Sequence, residues 1–476
     1  MSGMMTLQQA ADWLMQSGMA VKVVGGASVC IARIHTDTRS LQTGDLFVAI
    51  KGERYDANAF FADAKELGAS AAIGHHGLEA AGLPGLEVAD TKLALGRLAA
   101  CWRAQFGLPL IAVTGSNGKT TVTQMIASIL KHSKREAGFS TEGNLNNDIG
   151  VPLTLMRLTP AHEVGVVELG MNHPGEIAYL ADLVRPAVAL VNNAQREHLE
   201  FMATVQAVAH ENGCVISALD SSGVAVFPAD DDYSAVWRQL AAGRRVMTFA
   251  APGSPAGIAD VMGDAEWIDG SWQVAATTPA GPLEFRLNIA GRHNVKNAFA
   301  AIACALAVAV PLSDIAAGLA DFVPVKGRSR AISLSVGEKQ ISLVDDSYNS
   351  NPDSMRAAID VLAELPGPRL LVMGDMGEVG DQGAQFHAEA GLYARQSGID
   401  KLFTLGPQSA LAAGNFGTGQ HFDDIASLRA AVLAELPAAA SVLVKGSRFM
   451  KMERVVDAIA AVAQSQNQIG ETSHAA

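Results

Sequence analysis

The stretch from Leu110 to Leu130 constrains this chain most. An all-apolar run, Leu110 to Val113, enters Thr114-Gly-Ser-Asn-Gly-Lys-Thr-Thr121, and an amphipathic segment, Val122 to Leu130, follows at once. A strand that breaks into a glycine-rich turn and restarts as a helix gathers backbone N–H groups at the positive end of a helix dipole. That is a cradle for phosphate. Gly115 and Gly118 allow close backbone approach around Ser116 and Asn117. Lys119 brings charge to the outer phosphates, and the Thr120 hydroxyl, with Thr121 beside it, suits Mg2+. One departure stands out: Val113 occupies the place where the usual pattern has its first glycine, so the loop is short. A purely structural turn is the alternative, and the strand–loop–helix context disfavours it. No Asn-Lys-x-Asp string follows, which weakens a guanine-nucleotide reading.

The same strand–loop–helix unit recurs downstream, with apolar runs at Val164 to Leu169, Ala187 to Val191 and Gly223 to Phe227. Strands apolar along their whole length are buried on both faces, which implies a parallel, doubly wound sheet. At roughly 150 residues per domain, 476 residues suggest about three domains. The expected fold is α/β: a small N-terminal α/β domain at 1–107, a central phosphate-loop ATPase-type sheet at 108–327 and a Rossmann-like domain at 328–476. The first contains a capping box at Thr6 and Gln9, a helix stop at Gly18, strands at Leu46 to Ile50 and Ala71 to Gly74, and a helix from Phe60 to Leu67. Gly107-Leu-Pro109 reads as its boundary. The third shows strands at Ile341 to Val344, Leu370 to Met373, Leu402 to Leu405 and Val442 to Val444, alternating with helices such as Ser354 to Leu365 and Ile425 to Leu436. The polar tail from Ser465 to Ala476 reads as frayed.

Composition narrows the function. With 35 Lys+Arg against 48 Asp+Glu, the net charge is −13, a poor balance for binding nucleic acid or an acidic membrane surface. Four scattered cysteines, Cys30, Cys101, Cys214 and Cys304, form no CxxC pair, which argues against zinc and a disulfide scaffold and fits a reducing cytoplasm. The longest apolar run, Ala298 to Val310, is too short to span a bilayer and reads as a buried helix.

Further groups gather at predicted strand ends. Glu168 stands at the tip of Val164 to Leu169, placed either to hold a nucleotide's metal or to face solvent; the phosphate loop favours the metal. His198 follows the next strand on the same sheet edge and reads either as a ligand or as an ordinary polar residue. Gly374-Asp-Met-Gly-Glu-Val-Gly380 superficially resembles a dinucleotide fingerprint, but its glycine spacing is wrong. A flexible loop at an interdomain cleft accounts for it at least as well.

Taken together, these residues resemble the Mur ligase family, the ATP-dependent amide-forming enzymes of cytoplasmic peptidoglycan synthesis, whose own phosphate loop is the short form TGSNGKTT. The resemblance runs over nearly the whole chain. It is carried further by Thr36-Asp-Thr-Arg39, Gly44 to Ala49, Lys51-Gly-Glu-Arg54, Gly143-Asn-Leu-Asn-Asn147, Glu168-Leu-Gly-Met-Asn172, Gly291-Arg-His-Asn294 with Asn297, Asp345-Asp-Ser-Tyr-Asn-Ser-Asn-Pro352 and Val444 to Glu453. The Asp-Ser-Tyr-Asn string points to the branch that adds a dipeptide.

The resemblance implies ATP and Mg2+ as cofactors, with UDP-N-acetylmuramoyl-tripeptide and D-Ala-D-Ala as substrates, and a cytoplasmic enzyme read as a monomer. It implies a catalytic set of Lys119, Glu168, His198 and Arg328. ATP would lie on Thr114 to Thr121, Asn294, Asn297, Arg328 and Asp346. Substrate contacts would come from Thr36, Asp37, Thr38, Arg39, Lys51, Thr141, Asn144, Asn146, Asn147, Tyr348, Asn349, Asn351 and Arg448. Metal ligands would be Thr120, Glu168 and His198. Hinges are expected near Pro109 and Gly327. Many members hold a second Mg2+ with a carbamoylated lysine after the His198-type residue. No lysine occurs between Lys134 and Lys296 here, so Glu211 is the candidate substitute, against a plain polar helix face. Rival readings are a sibling ligase, a folylpolyglutamate-synthetase-like ligase, or a phosphate-loop ATPase.

Overall fold

The computed structural model describes residues 3–26, 28–52, 55–268, 270–336 and 339–462. The expected frayed tail, and Glu53 and Arg54 of the Lys51 motif, lie outside those residues. The continuous apolar runs become Leu110–Thr114, Val164–Glu168, Val188–Val191 and Val224–Pro228, each buried at every position. They lie parallel in a six-stranded sheet ordered Arg245–Phe249, Val224–Pro228, Val188–Val191, Leu110–Thr114, Val164–Glu168, Gly138–Ser140. Lys119–Lys134 and Arg292–Ala307 cover one face, and Glu176–Val184 and Val205–Ser217 the other. From Leu110–Thr114 the chain builds outward to one side and then to the other. The crevice at this reversal is where ligands bind in such sheets.

The expected Ala298 to Val310 helix corresponds to the later part of Arg292–Ala307, which ends three residues earlier and is buried from Asn297 to Ala305. Not anticipated is an antiparallel meander, Met262–Ile268, Ser271–Thr278 and Gly281–Leu287, packed on the same core through Trp272, Val274, Phe285 and Leu287. No described helix is long and apolar enough to cross a membrane.

The N-terminal sheet is ordered Lys22–Val24, Gly85–Glu87, Ala71–Gly74, Asp45–Val48, Arg33–His35, parallel except at the Lys22–Val24 edge. Its first helix, Leu7–Gln16, carries both halves of the expected capping box. The Pro109 hinge is not what the structure holds. One apolar core runs from Leu7 and Leu14 through Leu95 and Leu98 into Leu155, Ile177 and Leu183 of the central domain. Across the connection, the buried Arg103 guanidinium donates to the carbonyls of Val184 (2.9 Å), Phe106 (2.6 Å) and Leu108 (3.0 Å). Spare donors of a buried arginine thus satisfy the turn's carbonyls and bolt it down.

The C-terminal sheet is ordered Arg330–Val336, Lys339–Asp346, Ser441–Lys445, Arg369–Gly374, Lys401–Leu405, Gln420–Phe422, with only the first pair antiparallel. A hinge is expected near Gly327, and that residue itself is bonded to the C-terminal domain. Its N–H donates to Asp345 Oδ2 (2.9 Å) and its carbonyl accepts from Tyr348 N (3.1 Å), fixing it to this domain. Just before it, Val323 and Val325 are exposed.

Candidate active site

The phosphate loop is a closed amide lattice. Asn192 Nδ2 donates to Asn117 O (2.8 Å) and Asn297 Oδ1 (2.9 Å), while Asn117 N donates to Asn193 Oδ1 (2.9 Å). Gly118, at φ +80°, has no room for a side chain: a Cβ would lie 2.7 Å from Asn192 Nδ2 and from Asn297 Oδ1. Asn294 Oδ1 accepts from Asn297 Nδ2 (2.9 Å), and both asparagines are buried. Thr114 lies behind the loop, donating to Asn212 Oδ1 (2.7 Å). Lys119 Nζ donates to Gly115 O (2.6 Å) and Ser116 O (3.1 Å) and pairs with Glu197 Oε1 (2.7 Å).

Glu168 is 1% exposed, which rules out the solvent-facing alternative. Its Oε1 accepts from Thr120 Oγ1 (3.1 Å) and Asn146 Nδ2 (2.7 Å), while Oε2 is buried with no protein partner. A carboxylate oxygen does not stay buried and unpaired without cost, so the arrangement calls for a cation or water. His198 stands in the same cleft, its Nδ1 2.7 Å from Glu378 Oε2 and its Nε2 3.6 Å from Glu197 Oε1.

The C-terminal domain supplies the opposite wall. Arg328 Nη2 donates to Thr120 Oγ1 (3.3 Å), and its guanidinium lies 4.1 Å from the centre of the Tyr348 ring. Asn351 Nδ2 donates to Asn117 Oδ1 (2.9 Å). Burial would raise the Asp346 carboxyl, but Lys445, 2.6 Å away, outweighs it and holds that group below the usual carboxylate range. Ser116 to Thr121, Asn146, Asn147, Glu168, His198, Asn294, Asn297, Arg328, Asp346, Tyr348, Asn349, Asn351 and Arg448 all line one cleft of about 490 Å3.

Other expected residues lie apart. Thr141 is buried behind Glu168, its hydroxyl accepting from Glu168 N (3.0 Å), and neither it nor Asn144 lines the cleft. Thr36, Asp37, Thr38, Arg39 and Lys51 form a ledge on the N-terminal domain, also away from the cleft. There Asp37 Oδ2 pairs with Arg39 Nη2 at 2.6 Å, and Arg39 holds the Asp37 carboxyl down at about 2. Glu211 must be reassigned. Its Oε2 accepts from Gly175 N (2.9 Å) and its Oε1 from Ile177 N (2.9 Å), so both oxygens cap the Glu176–Val184 helix, and Glu211 is not among the residues that line the cleft.

Sequence reasoning passed over Asn192, Asn193, Glu197 and Lys445. The two asparagines had a readable signal, since they end the strand beside the phosphate loop on the ligand-binding edge. Glu197 adjoins His198 and Lys445 lies in the Val444 to Glu453 motif, but their partners Lys119 and Asp346 are distant in the chain, so their pairing had no local signal.

A phosphate loop on a doubly wound sheet, closed over by a second α/β domain, defines a nucleotide-dependent multidomain α/β enzyme. Family models give the finer class: the Mur ligase middle domain matches residues 113–305, the Mur ligase glutamate ligase domain 328–448, and the Mur ligase family catalytic domain 31–103. The chain belongs to the Mur ligase family, whose members form amide bonds at the expense of ATP. The UDP-N-acetylmuramoyl-tripeptide–D-alanyl-D-alanine ligase of Escherichia coli K12 is 42% identical over 438 residues, covering 91% of this chain and 95% of its own. A crystal structure of MurF from Acinetobacter baumannii superposes with a TM-score of 0.85 at 36% identity, covering 94% of this chain and 97% of that one. MurF ligase from Thermotoga maritima, solved in complex with ADP, gives 0.79 at 25% identity, covering 91% and 98%.

Proposed function

We propose that this protein joins the amine of D-Ala-D-Ala to the free carboxylate of UDP-N-acetylmuramoyl-tripeptide, converting ATP to ADP and phosphate. The observation that carries this reading is the shared cleft, with the phosphate loop on one wall and Arg328, Asp346 and Tyr348 on the other. A carboxylate resists amines because its oxygen leaves poorly. Transfer of the γ-phosphoryl group turns it into an acyl phosphate. The amine then attacks the carbonyl carbon, and phosphate departs with the C–O electron pair as the C–N bond forms. Such chemistry needs position and charge more than covalent help from the protein.

In this reading Lys119 exchanges Glu197 for the transferred phosphoryl group, and Arg328 adds charge from the opposite wall. Ser116 to Thr121 hold the phosphates, while Asn294, Asn297 and Asp346 bound the nucleotide end. Tyr348, Asn349, Asn351 and Arg448 receive the dipeptide. Asn146 and Asn147 serve the peptide end of the first substrate, with Thr141 acting behind Glu168, and Thr36 to Arg39 with Lys51 serve its UDP end. Mg2+ fits the donor set: the unpaired Glu168 Oε2 and the Thr120 hydroxyl are hard oxygens, with His198 nearby. When bound it supplies charge neutralisation at the phosphates.

The test is phosphate release across a matrix of UDP-muramyl peptides and free amino acids or dipeptides. Turnover with the tripeptide and D-Ala-D-Ala together is expected, yielding ADP. AMP and pyrophosphate would defeat the acyl-phosphate route. Equal turnover with D-Ala or meso-diaminopimelate alone would move the protein to a sibling activity, and ATP hydrolysis without any muramyl peptide to an ATPase.

A further inference from the structure

The Gly374 to Gly380 loop has no part in the scheme above, yet it is among the most carefully held loops of the C-terminal domain. The expectation of a flexible connection fails at each anchor. Asp375 Oδ1 accepts from Ser409 N (2.7 Å) and Ser409 Oγ (2.5 Å). Met376 N donates to the buried His387 Nε2 (2.9 Å), and Gly377 N to Ser447 Oγ (2.7 Å). From this scaffold Glu378 projects with φ at +59°, a conformation that non-glycine residues adopt only when their surroundings require it. Gly380 then seats the loop on the central domain, where an added Cβ would lie 3.4 Å from Glu200 Cα.

The geometry points to Glu378 as a positioning residue that acts through His198. The rigid loop carries its carboxylate across the domain interface to 2.7 Å from His198 Nδ1. The two groups are in close contact, and His198 Nδ1 is buried with no hydrogen-bond partner among the described residues. With Nδ1 engaged, Nε2 is turned toward Glu197, whose Oε1 grips Lys119. Glu378, His198, Glu197 and Lys119 thus form a chain of contacts from the C-terminal domain to the phosphate loop. A carboxylate on the far nitrogen of a functional imidazole fixes its tautomer and direction, and its loss typically costs about 10- to 100-fold in activity or affinity. The contact joins two domains, so the position of this carboxylate depends on how the C-terminal domain sits on the central one.

This inference rests on His198 belonging to the reacting site. The test is a double-mutant cycle of Glu378→Ala and His198→Ala, with Glu378→Gln as the conservative variant and Asp381→Ala as a loop control. Glu378→Ala is expected to lower kcat by about tenfold or more with KM for ATP little changed, and to add nothing in the His198→Ala background. Glu378→Gln should recover part of the loss, and Asp381→Ala should match the parent. In protein labelled with 15N at histidine, Glu378→Ala should shift the His198 Nδ1 signal without substrates present. Additive losses, a parent-like kcat for Glu378→Ala, or an unmoved His198 signal would overturn the proposal. Full activity of His198→Ala would instead defeat the reading of His198 itself.

Discussion

In the proposed reaction Lys119 exchanges a carboxylate partner, Glu197, for a phosphate. Lys119→Ala should cut turnover by about a hundredfold to a thousandfold or more, the scale for removing a preorganised charge from developing negative charge. Far-UV circular dichroism should be unchanged, because Lys119 contacts loop carbonyls and Glu197 rather than the core. A collapsed spectrum would make the residue structural. The thiols give a second check: Cys30 is exposed, Cys304 is fully buried with its thiol pushed far up by burial, and burial also raises Cys101 and Cys214. Titrating the native enzyme with a thiol reagent should give one fast group, lost in Cys30→Ser; fast reaction at Cys304 would contradict the packing. At this scale the sequence disclosed Lys119, Thr120 and Glu168, because a loop motif and a strand tip are local features. The partner of Lys119 stayed hidden, since Glu197 lies 78 residues away and only the sheet order brings them together.

Helices and strands carry a different kind of consequence, and Glu211 is the clearest case. Both its oxygens serve the N-terminus of Glu176–Val184, where N–H groups otherwise lack partners. Glu211→Ala should therefore destabilise the protein by about 1–3 kcal/mol, the cost of leaving buried donors unpaired, and lower Tm by several degrees. The magnesium requirement of the active fraction should not move; a raised requirement with an unchanged Tm would restore the metal role. Sequence could not reveal this, because capping a helix earlier in the chain leaves no periodic trace. The buried parallel strands were legible because each is an unbroken apolar run. The meander was missed for the opposite reason: Ser271–Thr278 alternates buried and exposed positions, the period-two pattern of a one-sided sheet.

At the scale of the whole molecule, the two interdomain joints are made of different materials. The N-terminal and central domains share an apolar core and the Arg103 bolt. The C-terminal domain meets the central one through Arg196 with Asp353 (2.6 Å), His198 with Glu378 (2.7 Å) and the Asn117–Asn351 pair, and among the described residues Ala290, Leu199 and Trp267 of the central domain pack on its apolar core. Brief thermolysin treatment should thus cut at Val323 to Val325 and leave the first two domains as one fragment. Early cleavage at 107–109 would show that the core does not hold them. Three reactants must enter and three products must leave in every cycle, and an oily seam would have to be peeled open each time. A seam rich in ions and amides can trade most of its partners for water at little net cost. The C-terminal jaw can therefore let go by exchanging protein contacts for water, while the other stays welded to the frame.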